Sequence, residues 1–151
     1  APETELREKA ATARRRRAPD AAIPYDKYVA DAEDAVSARN YFKADRLYRN
    51  LLDSLAEDDP RCVSVYERRG WLAAKRTDFN AARDLYFKAA DLMRRVDVDD
   101  VTATRVHAGL GNAFERLGKN ALAVRYYKRA LETCRDARLR QKIQSRLDGL
   151  E

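Results

Sequence analysis

An all-α fold of stacked helical pairs is what this sequence predicts, and three observations carry the prediction. The first is an internal repeat: Ala44 and Tyr48, Ala82 and Tyr86, and Ala123 and Tyr127 stand in segments that can be laid over one another. The aligned alanines recur after 38 and then 41 residues, the length of a helix-turn-helix unit in a stacked array. The second is composition: 37% charged, 45% hydrophobic and only five glycines and four prolines in 151 residues, a balance that favours long helices over a sandwich or barrel. The third is periodicity, since apolar side chains recur at offsets of three and four along nearly the whole chain. A chain of this length is one domain's worth and can bury a core without disulfide or metal staples.

Taken in order, residues 1–24 form a basic arm. It is rich in Ala, Arg and Glu, has only Leu6 and Ile23 as large apolar side chains, and is broken by Pro19 and Pro24. Glu3, Glu5 and Glu8 precede Arg14, Arg15, Arg16 and Arg17, which suits a helix dipole, so residues 3–17 can be helical if something packs against them. The repeat region, 25–150, divides into units at about 25–59, 60–98 and 99–136 and a last helix at about 137–150. In the first unit Tyr28, Ala32 and Ala35 face Tyr41, Ala44, Leu47, Tyr48, Leu51, Leu52 and Leu55. In the second, Tyr66, Gly70 and Ala73 face Phe79, Ala82, Leu85, Tyr86, Ala89 and Leu92. In the third, His107, Leu110, Gly111 and Phe114 face Leu122, Ala123, Tyr127, Ala130 and Leu131. Small residues at matched places let two helices approach, and aromatic rings then fill the space between neighbouring pairs. Leu139, Ile143, Leu147 and Leu150 form an amphipathic helix that caps the open end of the third pair.

The residues resemble those of the tetratricopeptide repeat family over about 25–150, the cap included. The third unit carries the resemblance best, with Leu110-Gly111-Asn112-Ala113-Phe114, Leu117-Gly118, Ala123 and Tyr126-Tyr127-Lys128-Arg129-Ala130-Leu131. The second matches at Tyr66, Gly70, Phe79, Ala82, Tyr86 and Ala89, and the first at Ala32, Tyr41, Ala44 and Tyr48, with Leu51 in place of a small residue. Tyr28, Tyr66 and His107 stand where the family has tryptophan, Pro60 alone closes a unit, and the spacing exceeds the family's period of about 34 residues, as in extended-repeat members. The resemblance implies a right-handed superhelical stack, an α-solenoid, whose first helices line a concave groove.

Helical geometry then names the lining. The stripe beside the core face of the second pair is Ser64, Glu67, Arg68, Trp71 and Lys75; the repeat spacing moves it to Asp26, Val29, Ala30, Glu33 and Ser37, and to Arg105, Ala108, Gly109, Asn112 and Arg116. It runs from acidic, through the chain's one tryptophan, to basic. Trp71, flanked by Arg68 and Lys75, has the composition of an interface hot spot; the alternative is a tryptophan that packs against its neighbours and fills space. Asn112 stands where family members often hold a ligand's backbone amide, and otherwise is an ordinary solvated residue. Arg105 and Arg116, with Arg68 nearby, suit acidic residues or a terminal carboxylate. The carboxylate clamp of chaperone-binding members is not reproduced, because Val29, Glu33 and Gly109 stand where lysine, asparagine and arginine are needed.

The function expected is a non-catalytic adaptor or scaffold whose groove binds a peptide or helix of a partner protein with an apolar or aromatic anchor and acidic residues. Two alternatives stay open: an architectural subunit that self-associates or docks in a larger assembly, and nucleic-acid contact through the arginine-rich arm and the cap. The arm could also occupy its own groove. No enzyme is expected, since there is one histidine, no nucleophile motif and no glycine-rich phosphate loop. No cofactor and no metal are expected either. Asp97-Val98-Asp99-Asp100 resembles the start of a calcium loop but lacks its glycine and has Ala108 in place of the closing glutamate, so it reads as a helix start. The net charge of +6 comes from 31 basic and 25 acidic residues, mostly interspersed as on a solvated surface. No run of about 18 apolar residues exists to span a membrane, and no leader opens the sequence. Cys62 and Cys134, unpaired by spacing, fit a reducing compartment, so the expected location is cytoplasmic, with the nucleus open as well.

Overall fold

The computed structural model describes residues 3–7 and 24–151. Residues 3–7 are helical and exposed. The four consecutive arginines, and the expectation that the arm occupies the groove, lie outside the described residues. From Tyr25 the chain forms seven helices: α1 Tyr25–Ser37, α2 Tyr41–Ser54, α3 Arg61–Lys75, α4 Phe79–Met93, α5 Asp100–Arg116, α6 Asn120–Thr133 and α7 Ala137–Leu150. No strand occurs among the described residues. The helices pair as α1 with α2, α3 with α4 and α5 with α6, each pair packs on the next, and α7 packs on α6.

The turns explain why the chain folds into pairs. At the end of each first helix one residue takes a left-handed backbone: Arg39 at φ 58°, Thr77 at φ 61° and Gly118 at φ 75°. The next amide then donates back across the helix end, Asn40 to the Ala35 carbonyl at 2.8 Å, Asp78 to Ala73 at 2.9 Å and Lys119 to Phe114 at 2.8 Å. This is the Schellman arrangement, which satisfies carbonyls the helix leaves unpaired. In the first two turns the same residue starts the following helix. The Asn40 side chain accepts from the Lys43 amide at 3.2 Å and that of Asp78 accepts from Ala81 at 3.1 Å, whereas Lys119 supplies no cap. The third turn has the glycine that the left-handed position favours; the first two have the cap instead. Asp99 accepts from the Thr102 amide at 2.8 Å, so the acidic run before α5 is a helix start, as its sequence suggests.

The repeated alanine and tyrosine are the seams of the pairs. Ala44, Ala82 and Ala123 are wholly buried, and Tyr48, Tyr86 and Tyr127 nearly so. A β-carbon on Gly111 would come within 2.6 Å of the Tyr127 ring, and one on Gly70 within 3.0 Å of Tyr86, so the small residue of the first helix is what admits the ring of the second. Tyr86 is gripped twice, because a β-carbon on Gly109 of the next pair would stand 2.3 Å from it.

The core is wider than the sequence stripe. Val63, Val65, Leu72 and Val106 are fully buried although they lie off the expected face, because α3 packs against α2, α4 and α5 at once and α5 against α3, α4 and α6. Tyr28 departs in the other direction. It is 39% exposed, and α1 instead turns Tyr25, Val29, Ala32, Ala35 and Val36 toward the core. Among the described residues α1 packs mainly on α2, so the position that is half-buried in later units, at Tyr66 and His107, is more open here. Asp45 on α2 fastens the first pair to the second, receiving Arg69 of α3 at 2.9 Å with Arg49 at 3.4 Å. On α7, Ile143 and Leu147 are buried and Leu139 and Leu150 partly so, while Arg140 donates to the Leu131 and Cys134 carbonyls at 2.8 and 3.1 Å and closes the end of α6.

Candidate functional site

The first helices α1, α3 and α5 line one face of the stack. It holds two cavities, of 390 Å³ toward α1 and 560 Å³ toward α7, which share Glu67, Arg68 and Arg105. Together they form a trough. Val29, Glu33 and Ser64 line the first cavity; Trp71, Lys75, Ala108, Gly109, Asn112 and Arg116 line the second. All eight residues singled out in the sequence therefore lie along this one trough, while Asp26, Ala30 and Ser37 of the derived stripe line neither cavity.

The structure changes what several of them can do. Arg68 is not a free cation: its Nε and Nη2 reach Glu33 Oε1 and Oε2 at 2.9 and 3.0 Å, a two-pronged pair between α3 and α1. The Tyr48 hydroxyl donates to the same Glu33. Burial and this acceptance by a carboxylate hold the Tyr48 phenol well above its usual range. The acidic end of the stripe is thus neutralised within the fold. Arg68 also lies over the Trp71 ring, 4.5 Å from its centre, and Lys75 lies 5.1 Å away. The indole is half-buried and meets the Tyr41 ring edge-on at 6.4 Å. Trp71 consequently packs against α2 and borders the 560 Å³ cavity as well.

Glu67 is the least expected residue. It is 5% exposed, and its Oε2 is sealed from solvent with no hydrogen-bond partner. Burial pushes its carboxyl pKa up, against the pull of Arg68 and Arg105. Arg105 is exposed and makes no ion pair among the described residues, and Arg116 is exposed over the Phe79 ring at 4.8 Å. Asn112 is half-buried with no hydrogen bond from its side chain among the described residues. No cluster of metal-ligating side chains occurs among the described residues.

Sequence reasoning missed the far wall. Leu139, Lys142, Ile143 and Arg146 of α7 line the larger cavity, as do Phe79, Tyr86 and Tyr127 of the second helices. The four-residue spacing of Leu139 and Ile143 marks a core face, but nothing in it says that the capping helix also borders the trough. His107, expected on the core face, is half-buried and stacked on Tyr126 at 6.3 Å, with its Nδ1 buried and unpaired.

No protein-family model and no curated protein matches the sequence. Solved structures do match. The N-terminal domain of stress-induced protein-1 (STI-1) from C. elegans superposes with a TM-score of 0.66 at 20% identity, over 81% of this chain and 93% of that one. The TPR2AB domain of yeast Sti1, in its complex with pHSP90, gives 0.70 at 21% identity, over 83% of this chain and 45% of that one. The Yersinia enterocolitica type III secretion chaperone SycD, in complex with a peptide of the translocator YopD, gives 0.68 at 16% identity, over 83% and 90%. Over four-fifths of its length, then, the chain has the fold of the tetratricopeptide-repeat domains.

Proposed function

We propose that the protein is a non-catalytic adaptor whose trough binds a segment of a partner protein, with an apolar or aromatic anchor against Trp71 and acidic residues beside Arg105 and Arg116. The observation that carries this reading is the wall itself: a half-buried indole between two cations borders a 560 Å³ cavity whose rim holds Arg105, Arg116 and Lys142, none with an acidic partner among the described residues. Aromatic residues set in desolvated surroundings are the usual anchors of interfaces. The peptide complexes of the similar yeast Sti1 and SycD domains support the same use of the face. The ligand differs from a chaperone tail held in a carboxylate clamp, because Glu33 and Gly109 occupy clamp positions and Glu33 is spent on Arg68.

The test compares the intact chain with a Trp71→Ala, Arg105→Glu variant of matched helicity in a pull-down from the source cell. Proteins retained by the first and lost by the second place the partner in the trough; equal retention sinks the reading. Trp71→Ala alone is expected to weaken binding by at least about 2 kcal/mol. No described helix is long and apolar enough to cross a membrane. Cys62 and Cys134 are buried and form no disulfide among the described residues, which supports a reducing, cytoplasmic setting.

A further inference from the structure

The aligned tyrosines differ in one respect that the sequence repeat hides. Tyr48 donates its hydroxyl to Glu33, and Tyr127 donates to Glu115 at 2.9 Å. Glu33 stands fifteen residues before its tyrosine and Glu115 twelve; the corresponding places before Tyr86 hold Trp71 and Ala74. Tyr86 therefore has no hydroxyl acceptor among the described residues, although it is buried and borders the larger cavity. The middle unit has its glutamate elsewhere. Glu67, nineteen residues before Tyr86, makes no hydrogen bond or ion pair among the described residues.

A carboxylate that is 95% buried and unpaired is an acceptor in need of a donor, since buried polar groups in native proteins are almost always satisfied. The end torsion of a glutamate is broad and two-fold, so either oxygen can be turned to a ligand in the cavities that Glu67 borders. Its surroundings define the donor. Arg68 and Arg105 both act on Glu67 electrostatically, with Glu33 opposing them, so cations already stand near its charge and what it lacks is a hydrogen-bond donor. Beside it Arg105 lacks an anionic partner among the described residues. A neutral donor next to an anion is what an acidic residue in an extended peptide presents, through its main-chain N–H and its side chain.

We propose that the middle of the trough is a receiving site for a main-chain N–H of an acidic, extended partner segment, with Glu67 as acceptor and Arg105 as the cation for the adjoining acidic side chain. This rests on the peptide-binding reading above and adds to it the residue that fixes the segment's register. It also gives the carboxylate a role: one oxygen of Glu67 is sealed without a partner among the described residues, beside cavities from which a partner's N–H can reach it.

The experiment selects ligands for the intact chain from a displayed library of acidic peptides that each contain one aromatic or leucine residue. The selected peptide is then titrated into wild type, Glu67→Met and Trp71→Ala. Methionine keeps the length of the glutamate and removes the acceptor. The expected result is a higher thermal midpoint for Glu67→Met together with binding weakened about tenfold or more, as the loss of a hydrogen bond to a charged group entails. Methylation of one main-chain nitrogen of the peptide is expected to cost the wild type a similar factor and Glu67→Met nothing further. A lower midpoint for Glu67→Met would show the carboxylate satisfied by the fold and overturn the proposal. Wild-type affinity in Glu67→Met, with Trp71→Ala still impaired, overturns this proposal and leaves the adaptor reading standing. Indifference to both changes, displacement of the peptide by single-stranded DNA at equal concentration, or an empty selection overturns both.

Discussion

The outer and middle units of the stack solve one problem differently. In the first and third, a buried tyrosine closes on a glutamate of its own repeat; in the second, the ring is clamped between Gly70 and Gly109 and its hydroxyl is left open. The outer tyrosines are therefore fixed by a hydrogen bond as well as by shape, and the middle one by shape, with Glu67 and Arg68 near its hydroxyl but no hydrogen bond among the described residues. The lesson is that a repeat conserves volume more strictly than polarity. Ring, alanine and a small facing residue, alanine in the first pair and glycine in the other two, recur because each pair needs the same close approach, while the polar partner is free to move, and where it is missing a ligand can use what remains.

The clamp is the place to break the contrast with the largest effect. Gly109→Ala puts a methyl 2.3 Å from the Tyr86 ring and forces the second and third pairs apart. The expected loss is about 1–3 kcal/mol, the usual cost of overpacking. Gly149→Ala is the control, since a β-carbon there meets nothing within 4 Å, and it should be neutral or stabilising by up to about 1 kcal/mol. Denaturant unfolding of both variants, read with the slope as well as the midpoint, checks the pair.

The hydroxyls sharpen the contrast at a smaller scale. Tyr127→Phe removes the donor to Glu115 and leaves that half-buried carboxylate to Arg146, 3.6 Å away; Tyr48→Phe leaves Glu33 to Arg68. Each is expected to cost about 1–1.5 kcal/mol. Tyr86→Phe should change stability by less than about 0.5 kcal/mol, because no hydrogen bond among the described residues is lost. Equal costs at all three positions would erase the difference between the units. The turns carry a contrast of similar size. Lys119→Asp gives the third pair the helix cap that Asn40 and Asp78 give the others, and is expected to add about 1 kcal/mol to the thermal stability.

The fold was legible because the pattern that encodes it is local. An alanine and a tyrosine four apart, a small residue in the facing helix and a polar turn together place a helix in a pair, and that signal comes three times. The lining of the trough was legible for the same reason, since it follows from helical offset and from the repeat. What the sequence withheld is everything that depends on which pairs are neighbours. Tyr28 reads as core because Tyr66 and His107 stand at its place, but among the described residues α1 has fewer neighbours than α3 or α5 to cover it. Glu67 reads as a groove residue like Arg68, and it lines both cavities, but its burial is not visible in the helical offset. Arg68 reads as a cation near Arg105 and Arg116, and only the approach of α1 shows that Glu33 consumes it. Lys142 and Arg146 are charges on the capping helix, and nothing in the sequence says that α7 turns them toward the trough.

His107 tests the third unit with the smallest expected effect. Burial first, and then the charge of Arg129, depress its pKa below the ordinary 6.5, with Glu132 opposing them. In the unfolded chain the imidazole binds its proton at 6.5, whereas in the folded chain it resists protonation to lower pH. The unfolded state thus holds more protons in that window, so stability is complete above 6.5 and is lost as pH falls toward the folded value. Glu67 acts in the opposite sense, because burial raises its carboxyl above 4.5 and stability is lost as pH rises through the raised value. The two slopes can be separated by substitution. His107→Gln should flatten the acid limb just below 6.5 and leave the rest of the profile alone, while Glu67→Met should lift the curve above its own window. Chemical unfolding at stepped pH, for the wild type and these two variants, reads both, and a wild-type profile that survives His107→Gln unchanged would mean that the unpaired Nδ1 finds a donor or a water the fold supplies after all.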